Sequence, residues 1–207
     1  LRLEGPLQSW GFDSQFSRRN TGLMPTKSAL AGMCCAALGF SRGCQDEAAF
    51  LDRFARLRMM AIKVPRVMSR SWSAGTMQLP VRRLQDYHTV GGGYDLVRGR
   101  DCITVTAENG KPRAKGGQAL AVLTHRQYLT DASFGVVFQG DPAVLAKMAS
   151  ALANPKWGLW LGRKACIPTA PVLAGLFDSL EDALRLLLDD KPLDSFTRQE
   201  EAETFAE

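Results

Sequence analysis

Tyr87 and His88 are adjacent in the sequence and are the pair best suited to acid–base chemistry. A histidine near a cation can cleave RNA without a metal ion, because the imidazole moves protons while the cation stabilises charge developing on the phosphate. Arg82, Arg83 and Lys164 are the cations that the sequence offers for this role. Two other roles for His88 stay open: a side chain that stacks on or hydrogen-bonds to a base, and a buried histidine.

Other catalytic and cofactor motifs are missing from the sequence. There is no G-x-S-x-G nucleophile motif and no Gly-rich loop followed by Lys-Ser or Lys-Thr. Acids are too sparse before residue 178 to build a two-metal site. The five cysteines are an odd number without C-x-x-C spacing, which favours reduced thiols over a disulfide framework or a zinc site. We therefore expect no metal and no cofactor.

The start of the chain offers a second candidate site. Leucines alternate with charged residues over 1–4, the period of a half-buried strand, and Gly5-Pro6 then ends it. Gln8, Ser9 and Trp10 follow at the strand tip, and an amide, a hydroxyl and an indole suit hydrogen bonds to RNA and stacking on a base. The alternative is that Trp10 caps the core and its neighbours form a turn.

The positive charges are concentrated in one block. The formal net charge of the chain is +5, but residues 53–126 hold 14 lysines and arginines against four acids. Such a block favours a polyanion surface, since phosphate neutralisation releases condensed counterions. A merely solvated face is the alternative, although acids would then be mixed among the bases. Residues 178–207 are acidic, with ten acids against three bases, and are expected to lie away from any RNA.

The candidate RNA-binding residues fall into three groups. The phosphate candidates are Arg18, Arg19, Lys27, Arg163 and Lys164. The base or sugar candidates are Gln8, Ser9, Trp10, Tyr87 and His88. Arg98 and Arg100 lie on a predicted hairpin arm.

These residues need a scaffold, and the periodicity predicts an α+β domain. Strands are predicted at 2–4, 59–64, 81–90, 127–139 and 158–161. Helices are predicted at 29–38, capped by Thr26 or Ser28, at 47–56, after Asp141-Pro142, and at 180–188. Asn109-Gly110 between strand-like segments predicts a β-hairpin within 94–125.

Five stretches, in fixed order, resemble the CasD family, the RAMP-type subunit of the type I-E CRISPR complex Cascade. The resemblance covers residues 1 to about 177. The stretches are Leu1–Gly11, Met24–Ser28, Leu84–Val90, Arg126–Phe134 and Trp160–Cys166.

The resemblance implies a ferredoxin-like, RRM-like (RAMP) domain with a projecting β-hairpin thumb at about 91–125. It also implies a non-catalytic subunit that binds the 5′ handle of the crRNA and caps the backbone of the surveillance complex in antiviral defence. The implied partners are crRNA, the backbone subunit CasC, the large subunit CasA and, through the complex, target DNA. The alternative is a metal-independent endoribonuclease that processes CRISPR repeat RNA, as in the type I-C system.

Two segments depart from the family pattern. The stretch between Val90 and His125 is longer than expected, and the end lacks the expected closing strand. We therefore expect a RAMP domain over 1–177 and an acidic helix and flexible tail over 178–207. We also expect further residues before Leu1, and two alternatives stay open for the end: a truncated chain or a further domain. No apolar run reaches the ~18 residues of a membrane span, and a cytoplasmic protein without a membrane partner is expected.

Overall fold

The fold is α+β, and the described part of the chain contains 14 strands and four α-helices. A computed structural model describes residues 1–15, 17–69, 76–90, 94–95, 100–101, 114–115, 118–119 and 122–201. The helices are α1 (Lys27–Leu38), α2 (Gln45–Ala55), α3 (Pro142–Ala153) and α4 (Leu180–Leu188). The strands are β1 (Arg2–Glu4), β2 (Leu7–Gln8), β3 (Arg18–Arg19), β4 (Arg58–Lys63), β5 (Val67–Ser69), β6 (Thr76–Gln78), β7 (Arg82–Val90), β8 (Tyr94–Asp95), β9 (Arg100–Asp101), β10 (Ala114–Lys115), β11 (Gln118–Ala119), β12 (Val122–Thr130), β13 (Ser133–Gln139) and β14 (Arg198–Glu201).

Two helices are capped by residues that the sequence predicts, while α1 and α2 each begin two residues earlier than predicted. Thr26 Oγ1 accepts a hydrogen bond from the Ala29 N–H at 3.3 Å and caps α1. Asp141 Oδ1 accepts from the Ala143 N–H at 2.9 Å and caps α3, with Pro142 in its first turn. The capping side chains satisfy amide groups that the first turn of a helix leaves unpaired.

The main sheet has the strand order β1-β13-β4-β14, and all its pairs are antiparallel. One of its faces packs on α1 and α3 and encloses the core around Leu3, Phe134 and Val136. The outer edge of β1 is also hydrogen-bonded, because the Arg2 N–H donates to Val172 O and the Thr169 N–H to Glu4 O, both at 2.8 Å.

The end of the described chain differs from the expectation in two places. No strand forms at 158–161, where the backbone bonds to neighbouring loops instead: the Ser9 N–H donates to Leu161 O at 2.9 Å. The predicted flexible tail is wrong over 198–201, because this segment pairs with β4 as β14. Helix α4 has the predicted bounds and buries Ala183 and Leu188.

A long antiparallel ribbon stands beside the main sheet. Strands β7 and β12 pair from Arg82 opposite Thr130 to Val90 opposite Val122. The other edge of β12 binds β2, antiparallel, and β3, parallel. The strand predicted over 127–139 is therefore two strands, because the chain turns at Asp131 with a positive φ of 55°.

The predicted thumb, at about 91–125, includes the first four residues of β12. Within it the structure describes two short antiparallel pairs, β8 with β9 and β10 with β11. Arg98 and the Asn109-Gly110 turn lie outside the described residues, and for Arg100 the structure describes the backbone of β9 alone.

Candidate nucleic-acid interface

The β7–β12 ribbon presents two faces of different chemistry. Successive side chains of a strand point to opposite faces, so Tyr87 and His88 lie on opposite faces of the ribbon. Observed contacts agree: the Tyr87 ring lies 4.9 Å from the His125 ring, while His88 Nδ1 lies 3.3 Å from Asp86 Oδ2. The His88 face consists of Arg19 of β3, Arg82, Leu84, Asp86 and His88 of β7, and Thr124, Arg126 and Tyr128 of β12. The Tyr87 face consists of Arg18 of β3, Arg83, Gln85, Tyr87 and Thr89 of β7, and Leu123, His125 and Gln127 of β12.

Arg19 and Arg126 form the cationic centre of the His88 face. They are direct neighbours in the parallel pairing of β3 with β12. Arg126 Nε donates to Thr124 Oγ1 at 3.1 Å, and Thr124 Oγ1 in turn donates to His88 O at 3.1 Å. A guanidinium held through Nε still has two amino groups that can donate to a phosphate. This geometry suits phosphate binding.

Arg163 fastens this face to the body of the protein. Its guanidinium donates to Arg19 O at 2.7 Å and to Gln127 O at 3.2 Å. The same group lies 4.9 Å from the ring centroid of Tyr128, which is a cation–π contact. Arg163 is therefore less available to a phosphate than Lys164, because Arg163 donates to backbone carbonyls of β3 and β12.

A groove of about 370 Å³ continues from the His88 face. Arg19, Arg163 and Trp160 line this groove, and the exposed Lys164 Nζ lies 5.9 Å from the ring centroid of Trp160. Small residues of α1 line it as well: Ala29, Gly32 and Ala36, with Met33. A groove lined by cations and an aromatic ring suits a nucleotide of a single strand.

Gly162 holds this groove in shape. Its φ is +99°, a conformation that residues with a side chain rarely adopt. A Cβ at this position would lie 1.7 Å from Ser9 O. The chain can approach the start of the protein this closely at 162 because glycine has no side chain.

Burial contradicts the prediction that Gln8 and Trp10 contact RNA. Both side chains are fully buried. Gln8 Nε2 donates to Leu3 O at 3.0 Å and to Ala132 O at 2.7 Å, and Trp10 Nε1 donates to Gln8 Oε1 at 3.1 Å. The alternative considered for Trp10, a residue that caps the core, is correct.

Burial also contradicts the prediction for Ser9 and Lys27. Ser9 lines the floor of the groove, but its side chain is buried and Oγ donates to Gln127 O at 3.2 Å. Lys27 is 2% exposed, and its Nζ donates to Ala55 O at 2.7 Å and to Leu57 O at 2.6 Å. This ammonium satisfies carbonyl groups at the end of α2 and is not available to a phosphate.

The opposite orientation of Tyr87 and His88 also bears on catalysis. One scissile phosphate cannot lie against both side chains, so the pair does not form one acid–base site. His88 is exposed and has a carboxylate, that of Asp86, as its neighbour. Among the described residues no cluster of His, Cys, Asp and Glu suits a metal ion.

The basic block of the sequence is dispersed in the fold. Arg53 pairs with Asp141 at 2.6 Å, and this hydrogen bond holds the pKa of Asp141 below its usual range. Arg66 pairs with Glu4 and Asp131, both at 3.2 Å. Among the described residues of the block, Arg53 and Arg66 are thus held by carboxylates, so the charge count overstates the cations that are available to a phosphate.

Two residues of the interface were missed in the sequence. Arg126 was not a candidate, although its place next to Arg19 makes it central. His125 was noted without a role, and its ring packs against that of Tyr87 at a tilt of 54°. Of the predicted candidates, Arg19 and His88 lie on the His88 face, Arg18 and Tyr87 lie on the Tyr87 face, and Lys164 lies at the groove. In the described part of the chain, no helix is long and apolar enough to cross a bilayer.

Comparisons with known proteins assign the chain to a family. The family model described as CRISPR-associated protein (Cas_Cas5) matches residues 1–202. The Escherichia coli (strain K12) protein named CRISPR system Cascade subunit CasD is 30% identical over 207 residues, which are 99% of this chain and 81% of that protein.

Two solved structures are similar as well. A chain of a "CRISPR RNA-guided surveillance complex" superposes with a TM-score of 0.65 at 35% identity, covering 89% of this chain and 66% of that one. A "Crystal structure of Cas protein" superposes with a TM-score of 0.51 at 28% identity, covering 89% of this chain and 67% of that one. These matches confirm the resemblance found in the sequence: the chain belongs to the Cas5 family of CRISPR-associated proteins.

Proposed function

We propose that this chain is a non-catalytic subunit of a type I-E CRISPR Cascade complex and binds the 5′ handle of the crRNA. The observation that carries the proposal is the continuous surface formed by the His88 face and the groove. Arg19 and Arg126 offer phosphate contacts at the ribbon, and the groove beyond them has room for a nucleotide. The similarity to a Cascade subunit and to a chain of an RNA-guided complex supports crRNA as the ligand.

The fold we propose is the ferredoxin-like plan. The strand order supports it. If β1, β4 and β13 are the first, second and third core strands, their spatial order β1-β13-β4 is the order 1-3-2 of this plan. The segment at 169–172 is hydrogen-bonded along β1, where the fourth strand of the plan would lie. The thumb would project from the end of the ribbon where Val90 of β7 pairs with Val122 of β12, because residues 91–121 connect these two strands.

The proposal of a non-catalytic role rests on the similarity to a protein named as a Cascade subunit. The strand pairing adds that one scissile phosphate cannot meet both Tyr87 and His88, which lie on opposite faces of the ribbon. The partners follow from the family: CasC in the backbone, CasA, and target DNA through the complex. A cytoplasmic location and the absence of a membrane partner stay predictions.

Arg126→Ala should flatten the salt dependence of handle binding. Each lost phosphate contact on single-stranded RNA changes the slope of log K against log salt by about 0.7. The measurement is fluorescence anisotropy with a handle oligonucleotide at several salt concentrations. Arg42→Ala is the control, because Arg42 carries the same charge as Arg126 and lies exposed between α1 and α2, away from the ribbon.

The two variants separate a local contact from a general effect of charge. We expect the Arg42→Ala slope to equal that of the wild type. An Arg126→Ala slope equal to that of the wild type would show that this guanidinium does not contact a phosphate, and the proposed RNA surface would be wrong.

A further inference from the structure

The Tyr87 face is open to solvent although it carries large apolar groups. Tyr87 is 61% exposed and Leu123 is 46% exposed. The Tyr87 and His125 rings are tilted by 54° to each other, and Gln85 Nε2 lies 3.3 Å from His125 Nδ1, which holds the imidazole beside the phenol ring. The Tyr87 and His125 rings together form an exposed aromatic surface on this face.

The surroundings of these rings indicate the kind of partner. The cations of this face are Arg18 and Arg83, and both are exposed. No carboxylate lies on the strand positions that define the face. A ring that is flanked by cations and amide groups offers stacking, hydrogen bonds and charge complementarity to a base of a single strand. A purely apolar protein contact would use neither the arginines nor the amides.

We propose that the Tyr87 face is a stacking platform for one unpaired base of the bound RNA. The inference rests on the proposed function and adds a second contact, on the opposite side of the ribbon from the phosphate surface. Among the described strands, β7 pairs on one side alone, with β12, so its other edge can be crossed by the RNA. The nucleotide on Tyr87 is then turned away from its neighbours on the His88 face.

A stacked base can be identified by removing it. A series of handle RNAs, each with one abasic nucleotide in the handle or at its junction with the spacer, is titrated with the wild type and with Tyr87→Ala. Stacking on an aromatic side chain predicts that Tyr87→Ala weakens binding by about 5- to 100-fold. At one position the abasic change should weaken wild-type binding by a similar factor and leave Tyr87→Ala binding almost unchanged.

Three further measurements define the contact. Tyr87→Phe keeps the ring and should bind like the wild type. Leu186→Ala removes an exposed apolar side chain from α4, outside the ribbon and the groove, and should leave the abasic profile of the wild type intact. The salt slope of Tyr87→Ala should equal that of the wild type, because no phosphate contact is lost.

The inference is overturned if every abasic position weakens Tyr87→Ala and wild type alike. It is also overturned if Tyr87→Ala binds RNA normally and instead fails to assemble with other subunits, which would make this face a protein contact. Either result leaves the proposed function standing when Arg126→Ala still flattens the salt slope. A wild type that does not bind handle RNA would refute both.

Discussion

Replacing Trp10 by Ala should lower the free energy of unfolding by about 3–5 kcal/mol, the range for removing a buried aromatic side chain. Trp10 is fully buried. Its indole N–H donates to Gln8 Oε1 at 3.1 Å, and its backbone N–H donates to Thr21 Oγ1 at 2.8 Å. The substitution leaves a cavity and a buried amide oxygen without its donor, and each of these costs free energy.

Chemical denaturation followed by circular dichroism measures this loss. Trp157→Ala is the matched control, because Trp157 is 48% exposed and should change stability little. Trp10→Phe retains most of the side-chain volume, so it should remain folded and should bind handle RNA with wild-type affinity. A folded Trp10→Phe protein with strongly reduced RNA affinity would contradict this expectation and would show that Trp10 takes part in RNA binding.

A triple substitution, Arg19→Ala with Arg126→Ala and Lys164→Ala, should weaken handle binding by about 100-fold or more at low salt. Hydrogen bonds to charged groups contribute about 1 kcal/mol or more each, and three such losses amount to roughly two powers of ten. The salt slope should flatten by about 2. Arg163 is left in place because its bonds to Arg19 O and Gln127 O hold β3 to β12.

The control for the triple variant removes the same charge elsewhere. Arg42, Arg58 and Lys191 are exposed and lie outside the ribbon and the groove. The corresponding triple alanine variant should lose a few-fold in affinity at most, through the long-range field alone. Equal losses in both variants would show that net charge, and not this surface, determines binding.

Local signals predicted the helices well. Thr26 and Asp141 were recognised as caps because capping depends on a side chain and on amides two or three residues away. The bounds of α4 follow from its leucine spacing and from Ser179, which accepts a hydrogen bond from the Asp182 N–H. Such interactions lie within one turn of the chain and can be predicted from the sequence.

The buried start of the chain could not be predicted in the same way. The partner that buries Gln8 is Ala132 O, 124 residues away. A strand end followed by polar residues is equally typical of an exposed loop. By contrast, the opposite orientation of Tyr87 and His88 follows from strand alternation alone, and the predicted strand at 81–90 already implied it.

Two further features depend on long-range pairing. Arg126 becomes central because β3 aligns Arg19 beside it, and a two-residue strand has no periodic signal in the sequence. Strand β14 reads Arg-Gln-Glu-Glu, without the alternation of apolar residues that would predict a strand. Its pairing with β4 covers an edge that would otherwise be exposed.

One binding experiment can show whether the chain recognises the handle and leaves the RNA uncut. The wild type is titrated in EDTA with the handle RNA and with an RNA of the same length and composition in permuted order. The same samples, together with a CRISPR repeat RNA, are then run on a denaturing gel. We predict more than about tenfold tighter binding of the handle, or 1.4 kcal/mol, and full-length RNA on the gel. Equal affinity for both RNAs, or a discrete cleavage product from the repeat, would contradict this account.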